Sequence, residues 1–183
     1  MNPSPNLFLI GPTGAGKTSI GRRLAARLDM PFLDLDREIE THTGVDIPTI
    51  FDIEGETGFR QREGAMLDAL SRRERVILAT GAGAVLAPRN RQHLGARGYV
   101  VWLDASVEQQ LKRLSHDDKR PLLAAPDRRR RLLDMAAARA PLYRELADLH
   151  LPGRDEPVER ATERTLRALE THWHQTANHG TPP

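Results

Sequence analysis

The chain is predicted to be an α/β protein built on a parallel sheet, and two observations carry that prediction. Short apolar runs alternate along the sequence with segments of helical periodicity, the pattern of βαβ units. The first such unit contains Gly11-Pro12-Thr13-Gly14-Ala15-Gly16-Lys17-Thr18, which fits the phosphate-loop pattern G-x-x-x-x-G-K-[ST] at every fixed position. A strand, a glycine-rich turn and a helix N-terminus in that order make an anion site, because unpaired N–H groups and the helix dipole converge on it.

Asn6–Ile10 reads as a short buried strand. Lys17–Leu28 reads as a helix, with Ile20, Leu24 and Leu28 four residues apart on one face. Pro31-Phe32-Leu33-Asp34 is a second strand that ends in acid. Asp36–Thr43 and Glu54–Leu70 are predicted helices, the latter turning Phe59, Met66, Leu67 and Leu70 toward a core. Val76–Ala79 is a strand running directly into Thr80-Gly81-Ala82-Gly83. Pro88–Leu94 is a short helix, Tyr99–Leu103 a strand, and Ser106–Leu114 a helix with Ser106 as its N-cap. His116–Ala125 reads as a mobile loop. Asp127–Leu146 is a long basic helix expected to break near Pro141. Leu149–Leu151 is the last strand, Pro157–Trp173 the last helix, and residues 174–183 a disordered tail.

The 183 residues suit one domain, assigned here to residues 1–173, and 39% hydrophobic with 28% charged residues is the balance of a soluble globular chain. A net charge of +2 makes no case for a nucleic-acid partner. With no cysteine there is neither a disulfide framework nor a thiolate metal site. No signal peptide or membrane span is visible. A cytoplasmic protein with access to nucleotide is expected, with no nucleic acid or membrane partner.

Within the phosphate loop, Gly14, Ala15, Gly16 and Ser19 are expected around a phosphate chain, with Lys17 supplying a point charge and Thr18 a hydroxyl to Mg²⁺. Asp34 and Asp36 lie where the second strand ends, and ligands in open parallel sheets bind beyond the carboxyl ends of strands. One carboxylate can help hold Mg²⁺ through water, and the other can orient a hydroxyl and accept its proton. The competing reading is N-cap chemistry, with Asp36 starting a helix. Glu56, Arg60 and Glu63 share a helix face. They form either a solvated ion pair or a guanidinium braced for a substrate carboxylate. The Gly81–Gly83 stretch is either a simple turn or a place where backbone N–H groups approach a ligand. Arg113, Arg120 and Arg139 are candidate anion or base contacts. Arg128–Arg131 reads as a solvated helix face. The seven histidines receive no role.

Together these segments resemble the shikimate kinase family. The resemblance rests on Gly11–Thr18, Phe32-Leu33-Asp34-Leu35-Asp36, Ile50-Phe51 through Gly55-Glu56 to Phe59-Arg60 and Glu63, Gly81-Ala82-Gly83, Arg120-Pro121-Leu122-Leu123 and Arg139-Ala140-Pro141-Leu142-Tyr143, in family order over about residues 6–170. It implies a three-layer α/β/α phosphate-loop kinase like the nucleoside monophosphate kinases. Such a fold has a five-stranded parallel sheet, a lid (about 115–125) and a substrate-binding helical segment (about 36–63). It implies transfer of the γ-phosphoryl of ATP to the 3-hydroxyl of shikimate, in the route to chorismate, by a monomer. Under the resemblance, Lys17, Asp36 and Arg120 are catalytic. Arg113 and Pro157 border the adenine, and Thr18 ligates Mg²⁺ with Asp34 nearby through water. Asp36 binds the reacting hydroxyl. Arg60, Arg139 and the Gly81–Gly83 turn hold the carboxylate, and Phe51 and Phe59 pack beside the ring. The family usually has three consecutive glycines where this chain has Ala82; at positive φ an alanine would cost about 1 kcal/mol. Three other readings remain at this level: a kinase for another hydroxy acid or nucleotide, a non-catalytic nucleotide-sensing module, and a nucleic-acid binder.

Overall fold

The computed structural model describes residues 4–114 and 127–173. Its strands are β1 (Leu7–Ile10), β2 (Phe32–Asp34), β3 (Ile77–Ala79), β4 (Tyr99–Leu103) and β5 (Leu149–Leu151). They form one parallel sheet in the order β2-β3-β1-β4-β5. β1 is central because it is apolar on both sides, and all four of its residues are buried. The period-two alternation of a strand divides its side chains between two cores. Phe8 and Ile10 join Leu33, Leu78, Val100 and Trp102 on one face. Leu7 and Leu9 join Ile77, Tyr99, Val101 and Leu103 on the other.

Helices cover both faces. The α1 helix (Lys17–Leu28) and α7 (Val158–His172) bury Ile20, Leu24 and Leu169 on the Leu7 side. The α2 (Leu35–Thr43), α3 (Ile47–Ser71), α4 (Pro88–Arg97) and α6 (Arg128–Leu146) helices cover the Phe8 side. The α5 helix (Val107–Arg113) packs on α6 through Val107 and Leu132. Its N-cap is the predicted Ser106, in a capping box closed by Gln109. The expected three-layer, five-stranded α/β/α architecture is therefore what the chain forms. The predicted lid at 115–125 and the tail at 174–183 lie outside the described residues.

Three local expectations are corrected. The α3 helix begins at Ile47 rather than Glu54, because Asp46 caps it, accepting from Thr49 N at 3.0 Å, and Pro48 occupies the first turn. Gly55, at φ 69° and ψ −176°, then bends the helix, and this interruption hid the first part from a periodicity reading. The α6 helix does not break at Pro141 but runs through it to Leu146. Buried Arg139 and Tyr143 flank the proline, and Ala140 and Leu142 pack on the core, which holds the backbone helical despite the lost N–H. Finally, the N-cap of α2 is Asp34, which accepts from Arg37 N, and Asp36 sits inside the first turn.

At the strand N-terminal edge, away from the phosphate loop, Arg97 Nη1 donates to Asp68 Oδ1 at 2.7 Å and to Ser71 Oγ at 2.8 Å, tying α4 to α3. Hydrogen bonding from Arg97, then Arg72, lowers the Asp68 carboxyl to a pKa of about 2. A carboxylate whose pKa falls on folding stabilises the protein above its unfolded value, and that stability is lost as pH falls through the folded value. Asp68→Asn is therefore expected to lower the urea midpoint at pH 7, and the gap from the parent should shrink once pH drops below about 4. A gap independent of pH would remove the ion pairing from the account.

Candidate active site

The register that sets Leu7 opposite both Ile77 and Tyr99 also aligns the C-terminal ends of β1, β3 and β4. The loops that follow them, with the start of α2, build the site at this one edge.

The phosphate loop bridges β1 and α1. Gly11, Gly14 and Gly16 have φ of 139°, 75° and 89°, values that side chains rarely tolerate and that turn successive amides toward a common centre. Gly16 is the N-cap of α1 and offers no side-chain acceptor, and no acid stands in the first turn. The first turn of α1 thus has neither a side-chain cap nor an acid, the kind of helix N-terminus that favours an anion. Lys17 is 9% exposed and donates to the carbonyls of Gly11 (2.7 Å) and Pro12 (2.8 Å). Beside it the Thr18 hydroxyl donates to Asp34 Oδ2 at 2.6 Å, joining α1 to the end of β2. These two hard oxygen donors suit Mg²⁺, which takes few protein ligands and keeps water and phosphate for the rest. No group of three or more His, Cys, Asp or Glu side chains is placed to hold a metal among the described residues.

The turn after β3 faces Asp36 and the α3 charges. A Cβ on Gly81 would lie 2.8 Å from Glu63 Oε1 and 2.9 Å from Asp36 Oδ1. A Cβ on Gly83 would collide with the Arg60 guanidinium. Ala82 between them has no strain, since Asp29 and Arg75 are the non-glycine residues with positive φ among the described residues. The family's middle glycine is therefore not required here by backbone conformation.

The Glu56–Arg60 contact is a solvated i,i+4 ion pair, but Glu63 on the same face is buried, so Arg60 is held between an exposed and a buried carboxylate. Glu63 is 1% exposed and accepts from Arg60 Nη1 at 2.7 Å, while Glu56 accepts from Nη2 at 3.2 Å. Burial raises the Glu63 pKa against the pull of Arg60, and its Oε1 has no hydrogen-bond partner. Burial opposes the charge of Arg60, but the Glu63 and Glu56 carboxylates raise its pKa overall. Arg139 differs. It is 8% exposed, burial lowers its pKa, and among the described residues no carboxylate forms an ion pair with it. Phe59 lies under Arg60, 5.2 Å from ring to guanidinium, and packs on Phe51 at 4.7 Å between centroids.

On the other side of the phosphate loop a cleft of about 200 Å³ opens between Gly14–Gly16, Ser19, Arg113 and the segment 153–156. Arg113 spans it, donating to Gly14 O (2.9 Å) and Arg154 O (3.0 Å). Pro157 is the N-cap residue of α7 but is not in the lining, where Val158 and Ala161 supply part of the apolar wall. The sequence reading missed the Glu156–Arg164 pair on this wall, with Nε to Oε1 at 2.9 Å, because it joins a loop to a helix outside any helical spacing. It also gave Tyr143 no role; its hydroxyl donates to Ala82 O at 2.6 Å. Arg120 lies outside the described residues.

A loop of the phosphate-binding pattern at a helix N-terminus, set beside a cluster of carboxylates and two guanidiniums, is the arrangement of a phosphate-loop small-molecule kinase. The comparisons agree. The family model described as shikimate kinase matches residues 13–170. A shikimate kinase of Methylococcus capsulatus is 50% identical over 90% of this chain and 92% of its own. One of Stenotrophomonas maltophilia is 51% identical over 94% and 96%. The solved structure of a shikimate kinase from Acinetobacter baumannii in complex with shikimate superposes with a TM-score of 0.89 at 43% identity, covering 92% of this chain and 94% of that one. The chain belongs to the shikimate kinase family. Among the described residues no helix is long and apolar enough to cross a membrane.

Gly83→Ala is expected to push the Arg60 guanidinium aside and weaken shikimate binding about tenfold or more, with ADP affinity nearly unchanged. Calorimetric titration of each ligand checks this, and undisturbed shikimate affinity would show that Arg60 does not face the ligand across this turn.

Proposed function

We propose that this protein transfers the γ-phosphoryl group of ATP to the 3-hydroxyl of shikimate. The observation that carries the proposal is Arg139. A buried guanidinium without a carboxylate partner is costly, and an anionic ligand supplies the missing countercharge. Arg60 lies near enough for the two cations to oppose each other's charge, so one ligand carboxylate can answer both. The Gly81–Gly83 backbone closes the same pocket, and Phe51 and Phe59 provide an apolar wall for a carbon ring.

Phosphoryl transfer passes through a loose transition state, so the protein acts mainly by placing groups and balancing charge. Asp36 aligns the acceptor hydroxyl and takes its proton. The phosphate-loop amides and Lys17 hold the β- and γ-phosphates. The Thr18 hydroxyl and the Asp34 carboxylate would hold Mg²⁺, which would neutralise phosphate charge when bound. Arg113 borders the adenine with the segment leading to Pro157, and Ser19 lies beside the phosphates. Arg120 joins the proposal on family resemblance alone, as the arginine that meets charge on the transferring group. The protein acts in this reading as a monomer on free small molecules, as the family resemblance implies, in the cytoplasm where ATP is available.

Release of ADP by the purified protein should depend on added shikimate. A panel of other hydroxy acids that stimulated it equally would make the acceptor assignment wrong. Lys17→Met is expected to reduce kcat by about three orders of magnitude, and near-normal kcat would remove the phosphate loop from the mechanism. Arg60→Lys should raise KM for shikimate about tenfold and leave KM for ATP within about twofold, since an ammonium cannot reproduce the bidentate fork. Equal changes in both constants would mean Arg60 is not a carboxylate contact.

A further inference from the structure

The Gly81–Gly83 turn has few means of holding its own position. Two of its residues have no side chain, and Ala82 ends at a methyl group. On one side it meets Asp36 and Glu63 at Gly81 and Arg60 at Gly83. On the other it meets Tyr143, which comes from α6, sixty-one positions further along the chain, and donates its hydroxyl to Ala82 O at 2.6 Å. That is a short distance for a neutral hydroxyl donor. The Tyr143 ring is 3% exposed and stacked on Trp102 of β4, with centroids 5.6 Å apart. Burial raises the phenol pKa far above neutrality, so the group stays a donor at any working pH. Arg139 precedes Tyr143 by one helical turn, and both are buried on α6.

We infer that Tyr143 is a positioning residue for the acceptor, its bond to the Ala82 carbonyl setting the spacing between Arg139 and the Gly81–Gly83 turn. The inference rests on the reading of this pocket as a carboxylate site. The two sides of that pocket belong to distant segments, the turn following β3 and Arg139 riding on α6. The described hydrogen bond that ties Tyr143 to the turn therefore governs whether both can reach one carboxylate together. Trp102, held in the sheet, fixes the ring from behind, so the hydroxyl acts from a stationary base.

Tyr143→Phe keeps the ring and its stacking and removes the hydroxyl. It is expected to raise KM for shikimate roughly five- to tenfold while KM for ATP stays within about twofold. Combined with Arg139→Lys, the loss should be less than the product of the single losses, because both changes disturb one pocket. A merely structural tyrosine would lower the melting temperature and leave both KM values in place, and that result overturns the inference. So does a multiplicative loss in the double variant. Failure of the unaltered protein to consume ATP in response to shikimate would instead overturn the substrate assignment, and the two failures are told apart by assaying the parent beside Tyr143→Phe.

Discussion

The site depends first on the hydrogen-bonded register of a parallel sheet. Parallel pairing leaves little freedom once the first residues are matched, and Leu7 is matched to Ile77 on one side and Tyr99 on the other. All three strands then finish at the same edge. The phosphate loop, the Gly81–Gly83 turn and the start of the 104–106 connection are brought together by main-chain bonds, not by attraction among their own side chains. Gly11 shows how tight this edge is, since any Cβ there would strike the Leu103 carbonyl at the end of β4.

Given that scaffold, the arrangement is one of charges balanced among buried and half-buried groups. Glu63 and Arg60 nearly satisfy each other, whereas Arg139 lacks a carboxylate partner among the described residues. Asp34 serves two ends, as cap of α2 and as acceptor from Thr18. Its position is thus fixed from two sides, by the helix it caps and by the Thr18 hydroxyl. Asp36, in the first turn of the same helix, stands beside Gly81 instead.

Stability and chemistry are separated along the strands. At the N-terminal edge, Asn6 donates to the carbonyls of Arg73 and Arg97 and accepts from Val76 N, and Asp68 gathers arginines from two helices. At the C-terminal edge, Glu63 Oε1 beside Gly81 has no hydrogen-bond partner, while at the opposite edge the buried His93 Nδ1 beside Asp68 has none either.

Local signals in the chain determined a good deal. The phosphate loop was legible because its conformation depends on glycine at set spacings, the strands because burial on both faces makes short continuous apolar runs, and most helices because one buried face imposes a period near four. Ser106 was legible because capping is a contact within one turn. The start of α3 had its signals, Asp46 and Pro48, but Gly55 interrupts the period that would have linked them to the rest. Whether Glu56, Arg60 and Glu63 formed a surface pair or a buried brace was open, because spacing reveals a shared face and not what covers it. Nor could spacing show that Ala82 avoids positive φ, that Tyr143 reaches its carbonyl, or that Glu156 pairs with Arg164 on the nucleotide cleft. Those are contacts between segments far apart or differently oriented in the chain, and their distances are set only when helices pack on both faces of the sheet.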